Sequence, residues 1–164
     1  LMTGAKTQTG ELSPWLAGAR HFFTEEHPLF ARFHIDPLAV GEGEVTISAV
    51  LDEVFCHLPE SNEIFGGAMA IILDTVLGFS VVTRLKDLVP IATINLRTDY
   101  VAKAVSGTKI RCHAHCYSRR DSVAFVRGEV TCFQTGETLA TALGTFMIGT
   151  RGPKYGALAK ANAR

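Results

Sequence analysis

Apolar residues run almost unbroken from Ile64 to Val82, whereas the segments on either side alternate apolar with polar residues. Alternation with a period of two marks a strand that buries one face. Val45, Ile47 and Ala49 alternate with Thr46, Ser48 and Val50, and Gly41-Glu42-Gly43 separates this run from "LFARFHIDPLAV". Two antiparallel strands are predicted there. Further along, "PIATINLRTDYV", "GTKIRCHAHCYS", "DSVAFVRGEVTCF" and "TLATALGTFMIG" predict four more. Their separators are Lys103 to Gly107, Arg119-Arg120-Asp121 and Gln134 to Glu137, and each suits a hairpin in a meander.

Between the two groups of strands, the turn-rich "HLPESNEI" leads into the apolar stretch, whose reach from Gly66 to Thr83 is about five helical turns. A shorter amphipathic helix is predicted after Ser13-Pro14, an N-cap followed by proline at the first helical position, with Trp15, Leu16, Ala19, Phe22 and Phe23 on one stripe. One apolar helix beside six mostly antiparallel strands is buried best when the sheet wraps around it, so the predicted class is α+β. A single domain over 13–149 is expected, with 1–12 a flexible N-terminal segment and 150–164 a loose C-terminal tail.

The chain of 164 residues is long enough for one core without a disulfide or metal staple. Sixteen basic and sixteen acidic side chains balance, and no block of like charge marks a nucleic-acid arm or polybasic anchor, so neither partner is expected. Cys56, Cys112, Cys116 and Cys132 all fall in strand-like segments, and a reducing cytoplasm is the expected location. Alternation sends Cys112 and Cys116 to one sheet face and His113 and His115 to the other, which argues against a metal cluster. The apolar helix nearly has the length of a bilayer span, about 20 residues. Asp74 at its centre and the lack of a basic flank on its N-terminal side argue against that role.

Asp74 is therefore expected in a crevice or an interface, with Thr75 or Thr93 as candidate hydrogen-bond donors. At the start of the same helix, Gly66-Gly67 leaves the first backbone N–H groups unobstructed by side chains. Such a terminus favours developing negative charge, as in an oxyanion site. Asp74 follows Gly67 by seven residues, which puts it within roughly 20° of the same face but about 10 Å further along the axis. A carbonyl at the glycines is thus out of easy reach of Asp74 in the same chain. Two copies of the helix lying antiparallel about a two-fold axis would bring the glycines of one beside the aspartate of the other, which predicts a dimer with composite sites.

These residues, "FGGAMAIILDTVLG" followed by "IATINLRTDYVAKAVSGTKIRCHAHCYSRRDSVAFVRGEV", resemble the hotdog-fold acyl-CoA thioesterases of the phenylacetate-degradation and 4-hydroxybenzoyl-CoA thioesterase type, over roughly Gly41 to Gly149. The resemblance implies a six-stranded antiparallel sheet around the long helix and hydrolysis of an acyl- or aryl-CoA to free acid and CoA. It implies no separate cofactor, and a homodimer that can pair into a tetramer. It gives Gly66, with Gly67 beside it, the role of polarising the thioester carbonyl. It gives Asp74 of the opposing subunit the activation of water or direct attack, and Thr93 the orientation of that acid or water. Members of the family carry His immediately before the glycine pair and Asn seven residues before its first glycine, where this chain has Phe65 and Pro59.

Phe65 and Asn62 are accordingly expected at the substrate, with His57, Glu60 or Asn62 able to supply the missing polar group. Otherwise Asn62 serves a turn, where asparagine tolerates positive φ. Lys103, Arg119, Arg120 and Arg151 are the candidate partners of CoA phosphates. Met69, Leu73, Phe79, Phe30 and Phe33 are candidates for the acyl pocket. The competing readings are a non-catalytic acyl-CoA-binding hotdog protein and a hotdog hydratase or dehydratase. The latter would need a histidine near the thioester, and only His57 lies close to the helix start.

Overall fold

The alternating segments join into one sheet of six strands in a computed structural model of the chain, which describes residues 14–22, 33–58 and 60–151. Helix α1 is Pro14–His21, and strands β1, Asp36–Gly41, and β2, Glu44–Leu51, follow. Helix α2 is Gly66–Val82, and after it come β3, Ile91–Tyr100, β4, Thr108–Arg120, β5, Val123–Cys132, and β6, Thr138–Ile148. Neighbouring strands are antiparallel throughout, in the order β1-β2-β4-β5-β6-β3. The β4–β5 and β5–β6 hairpins form as predicted, and the turns carry positive φ at Asp121 and Gly136.

The hairpin expected across Lys103 to Gly107 does not form. β4 pairs with β2 instead, and β3 crosses to the far edge beside β6. The connecting segment finds its backbone partners next to the start of α2. Ile64 donates its N–H to the Ala104 carbonyl at 2.9 Å, Ser106 donates to the Asn62 carbonyl at 2.8 Å, and Gly107 donates to the Leu51 carbonyl at 2.7 Å. Asn62 thus holds this crossover through its backbone, and it does not have positive φ; among the described non-glycine residues only His34 and Asp121 do.

Sheet and helix meet as the two periodicities require. Val45, Ile47, Ala49 and Leu51 of β2, Ile110, Cys112, Ala114 and Cys116 of β4, and Ala124, Val126 and Val130 of β5 are all buried. They face Met69, Ile72, Leu73, Val76 and Leu77 of α2, and each large aliphatic side chain buried there contributes about 1.5–3 kcal/mol. Met69, Leu73 and Phe33 are therefore core residues rather than the lining of an acyl pocket. Phe33 stacks on Phe55 with centroids 4.2 Å apart. Phe79 is partly buried and stacks on Phe22, 5.4 Å away, just beyond α1. Ser13, the Trp15 side chain, Phe23, Phe30, Pro59 and the terminal segments 1–12 and 152–164 lie outside the described residues.

The C-terminal end of α2 is fixed by buried polar contacts. The Gly43 N–H donates to Thr83 Oγ1 at 2.9 Å, Thr83 Oγ1 donates to the Ser80 carbonyl at 2.8 Å, and Arg84 Nη1 donates to the Cys116 carbonyl at 2.9 Å. Gly43 has φ +77°, and a side chain there would also run into Arg84.

Gly128 of β5 lies under α2. A Cβ at this position would come 2.7 Å from Leu77 Cδ1 and 2.8 Å from the His113 carbonyl oxygen. Because the second neighbour is backbone, Gly128→Ala is expected to destabilise the fold by about 1–3 kcal/mol, the range for overpacking a core. Thermal unfolding of the two proteins measures this, and an unchanged Tm would contradict the close approach of helix and strand.

Candidate active site

One face of α2 is not covered by the sheet. Gly67, Ala70, Ile71, Asp74 and Thr75 recur at helical spacing and are half-buried or exposed, with Ile71 41% exposed. Alongside runs β3, an edge strand with exposed residues on both faces, including Ile94 at 53%. Asp74 meets β3 directly: Thr93 Oγ1 donates to Asp74 Oδ1 at 2.9 Å. Thr75, the other candidate donor, turns back and bonds the Ile71 carbonyl at 3.1 Å. The carboxylate is thus held from one side by a single hydroxyl, and Asp74 remains only half-buried.

At the start of α2, Phe65 is the N-cap in extended conformation, φ −62° and ψ 126°, and its side chain makes no capping hydrogen bond. Its own N–H donates to the Phe55 carbonyl at 2.8 Å, and its carbonyl accepts from Ala68 at 2.9 Å, which tightens the first turn. The Gly66 and Gly67 N–H groups precede the first N–H with an acceptor in the helix. Both glycines are enclosed by aromatic rings. A Cβ on Gly67 would come 2.2 Å from Phe65 Cε1, and one on Gly66 would come 3.0 Å from Cε1 and Cζ of Tyr100. Tyr100 is not among the candidate site residues read from the sequence. Its contact with Gly66 joins residues 34 positions apart, and no local pattern signals it.

Tyr100 touches Gly66, and Thr93 touches Asp74. These two contacts lie seven residues apart on β3, roughly 20 Å along a strand. The glycine end and the carboxylate of one chain are therefore set apart by strand geometry as well as by helix geometry.

The candidate phosphate-binding residues divide between the two ends of α2. Lys103 sits at the glycine end, where its Nζ pairs with Glu63 Oε2 at 2.8 Å on the exposed surface. Asn62 is exposed in the same loop, and the His57 ring lies 6.3 Å from that of Phe65. At the other end, Arg119 Nη1 donates to the Arg84 carbonyl at 3.1 Å, just past the helix C-terminus. Arg120 is exposed in the β4–β5 hairpin. Arg151 is exposed and follows Gly149 and Thr150, whose N–H groups both donate to the Pro90 carbonyl. The structure does not gather these four cations around one point of a single chain.

Cys112 and His113 do lie on opposite faces of β4. Cys112 is buried among core residues, and the His113 ring bonds Thr46 Oγ1 at 3.0 Å on the outer face. Among the described residues, no group of histidine, cysteine or acidic side chains could hold a metal ion, and no helix is long and apolar enough to cross a membrane.

Residues 62–139, which include the glycine pair, Asp74, Thr93 and the crossover, match the family model described as the thioesterase superfamily. Over that segment the chain is similar to this superfamily of thioester hydrolases, and its sheet and central helix have the hotdog fold. A phenylacetic acid degradation-related protein from Ralstonia eutropha JMP134 shares 26% identity, with 78% of this chain and 97% of that chain covered at a TM-score of 0.67. The E. coli PaaI protein from the phenylacetic acid degradation operon shares the fold at a TM-score of 0.72, with 15% identity and coverage of 88% and 99%. Zebrafish thioesterase superfamily member 2 does so at a TM-score of 0.73, with 18% identity and coverage of 82% and 98%. No curated protein sequence matches the chain significantly.

The four thiols are all free, and their surroundings make them unequal. Burial, with the Glu129 charge second, pushes the Cys112 thiol far above the usual thiol range. The Cys132 thiol is lowered, first by a hydrogen bond from the Thr135 side chain and then by the Thr135 and Gln134 backbone. A thiol-disulfide reagent at mildly alkaline pH is therefore expected to modify Cys132 in the fastest phase, which Cys132→Ser removes, and to reach Cys112 only on unfolding. Rapid labelling of Cys112 in the native protein would contradict the packing of β4 against α2.

Proposed function

We propose that the chain is an acyl-CoA thioesterase whose active site combines Asp74 of one subunit with the Gly66-Gly67 helix start of another. The observation that carries this reading is the Thr93-bound, half-buried carboxylate on the same uncovered helix face as an uncapped glycine terminus. In the proposed reaction, Asp74 accepts a proton from a water molecule as the water oxygen bonds to the thioester carbon. The carbonyl electron pair moves onto oxygen beside the glycine N–H groups. When the tetrahedral adduct collapses, the C–S bond breaks, the CoA thiolate leaves, and it takes up the proton held by Asp74. The products are the free acid and CoA. A thiolate is a good leaving group, so an attacking oxygen and a stabilised oxyanion suffice. No cofactor is proposed beyond the CoA of the substrate itself.

The homodimer in this proposal is supported by the exposed stripe on α2 and by the unpaired outer edge of β3, which would otherwise leave apolar surface and backbone groups uncovered. Antiparallel pairing of two α2 helices that sets Gly66 beside a second Asp74 also moves the Arg119 end of one chain toward the Lys103 end of the other. Lys103 and Arg119, with Arg120 and Arg151, then border one groove from two subunits, a setting suited to CoA phosphates. A dimer of dimers remains compatible with this pairing because it leaves the outer sheet face free. The four free thiols suit a reducing compartment, and the cytoplasm is the proposed location.

CoA release from short-chain, long-chain and aryl acyl-CoAs tests the reading. The wild type is expected to hydrolyse at least one class, and Asp74→Asn is expected to lose about 10²–10⁴-fold in kcat. Thr93→Val removes a hydrogen bond to a charged group worth about 1.5–3 kcal/mol, so a loss of roughly 10-fold or more is expected. Binding without hydrolysis across the panel would replace the enzyme with an acyl-CoA-binding protein. Undiminished turnover in Asp74→Asn would remove the carboxylate from the mechanism. Solution mass is expected to be that of a dimer or tetramer, and a fully active monomer would contradict the composite site.

A further inference from the structure

We infer that the Tyr100 hydroxyl is a second hydrogen-bond donor to the carbonyl oxygen held at the Gly66 end of α2, an inference that rests on the thioesterase reading above. Tyr100 closes β3. Its backbone is fixed by pairing opposite Ala140, and the next two residues donate their N–H groups to the Leu139 carbonyl at 2.8 and 3.2 Å. The ring is thereby laid against Gly66, with Cζ, the carbon that bears the hydroxyl, 3.0 Å from where a Gly66 Cβ would stand. Glycine alone leaves room for it. In an α-helix the Cα–Cβ direction tilts toward the N-terminus, so the edge of the ring occupies the N-terminal side of Gly66. The unpaired helix N–H groups point to that same side.

The hydroxyl is available for this work. Tyr100 is 53% exposed, and its hydroxyl has no hydrogen-bond partner among the described residues. Among the described residues no side chain hydrogen-bonds this terminus. The N-cap position is Phe65, whose ring lies over Gly67 and carries no donor, and no side chain caps the helix. A polar group that is missing immediately before the glycine pair is thus supplied from the end of β3. As water adds to the thioester, negative charge grows on the carbonyl oxygen. The helix N–H groups and the phenol then donate to it together, and the phenol keeps its proton throughout. Tyr100 touches the reacting oxygen in this arrangement, so it is a catalytic residue rather than a packing one.

Tyr100→Phe in the full-length protein tests the inference, because it removes the donor and retains the ring against Gly66. Loss of one oxyanion donor costs about 10²–10³ in kcat where the donor is a main contributor. Here the helix amides share the task, so a fall of about 10–100-fold in kcat is expected, with KM and Tm nearly unchanged. A kcat equal to the wild type would overturn the inference and leave Tyr100 as packing. A readout that does not depend on turnover keeps this distinct from a failure of the thioesterase reading. A CoA thioether ketone, in which a methylene group separates sulfur from a ¹³C-labelled carbonyl, is bound to each protein and its carbonyl stretch recorded. The wild type is expected to shift the stretch to lower frequency and Tyr100→Phe to reverse part of that shift. Equal frequencies in the two proteins would overturn the inference whether or not the wild type hydrolyses thioesters.

Discussion

The surface of α2 is apolar on nearly every side, and a helix of that kind in water has to be covered on every side. Most of this fold follows from how the cover is supplied. Strands β2, β4, β5 and β6 present mostly small and branched residues inward, Gly128 lets the helix approach closely, and the Thr83 and Arg84 contacts pin its C-terminal end. The sheet leaves the stripe of Gly67, Ala70, Ile71, Asp74 and Thr75 open, beside the unpaired edge of β3.

The proposed chemistry is concentrated on that stripe. A carboxylate that would be costly in a sealed core is tolerated there, because Thr93 satisfies one oxygen and the half-open face leaves the other free. The same incomplete cover leaves the first amides of α2 uncapped. Phe55 and Ala104 fix the approach to the helix through backbone hydrogen bonds and Glu63 pairs with Lys103, while the rings of Phe65 and Tyr100 crowd the two glycines. Stabilising the helix and building the proposed site are thus one problem: the face that the fold leaves uncovered carries both of its features, and a second subunit would both cover it and complete it.

Much of this arrangement is legible in the sequence, because it is written in short-range periodicity. The bounds of α2, the two groups of strands and the inward and outward residues of β2 and β4 follow from local alternation. So does the neighbourhood of Asp74 and Thr93, once the helix and the next strand are placed. The strand order was not legible in the same way. The segment from Lys103 to Gly107 has the composition of a hairpin loop, and it becomes a crossover only because its backbone groups pair with Leu51, Asn62 and Ile64, far away along the chain. Tyr100 against Gly66 and Lys103 against Glu63 are contacts of the same long-range kind. Met69 and Leu73 carry the periodicity of any apolar helix, and only the packed structure assigns them to the core.

The central claim is that each active site takes its acid from one subunit and its helix amides from another, and mixed dimers test it most directly. Gly66→Pro removes a donor at the first helical position, where the extended Phe65 before it suits a following proline, and its Cβ also pushes aside the Tyr100 ring, so this end of the site is lost while the helix is kept. Each variant alone, Asp74→Asn or Gly66→Pro, disables both sites of its homodimer. In a mixed dimer purified through two different tags, one composite site would carry both defects and the other neither. The expected result is recovery of about half the wild-type activity per dimer. A mixed dimer no more active than its two parents would contradict the shared site.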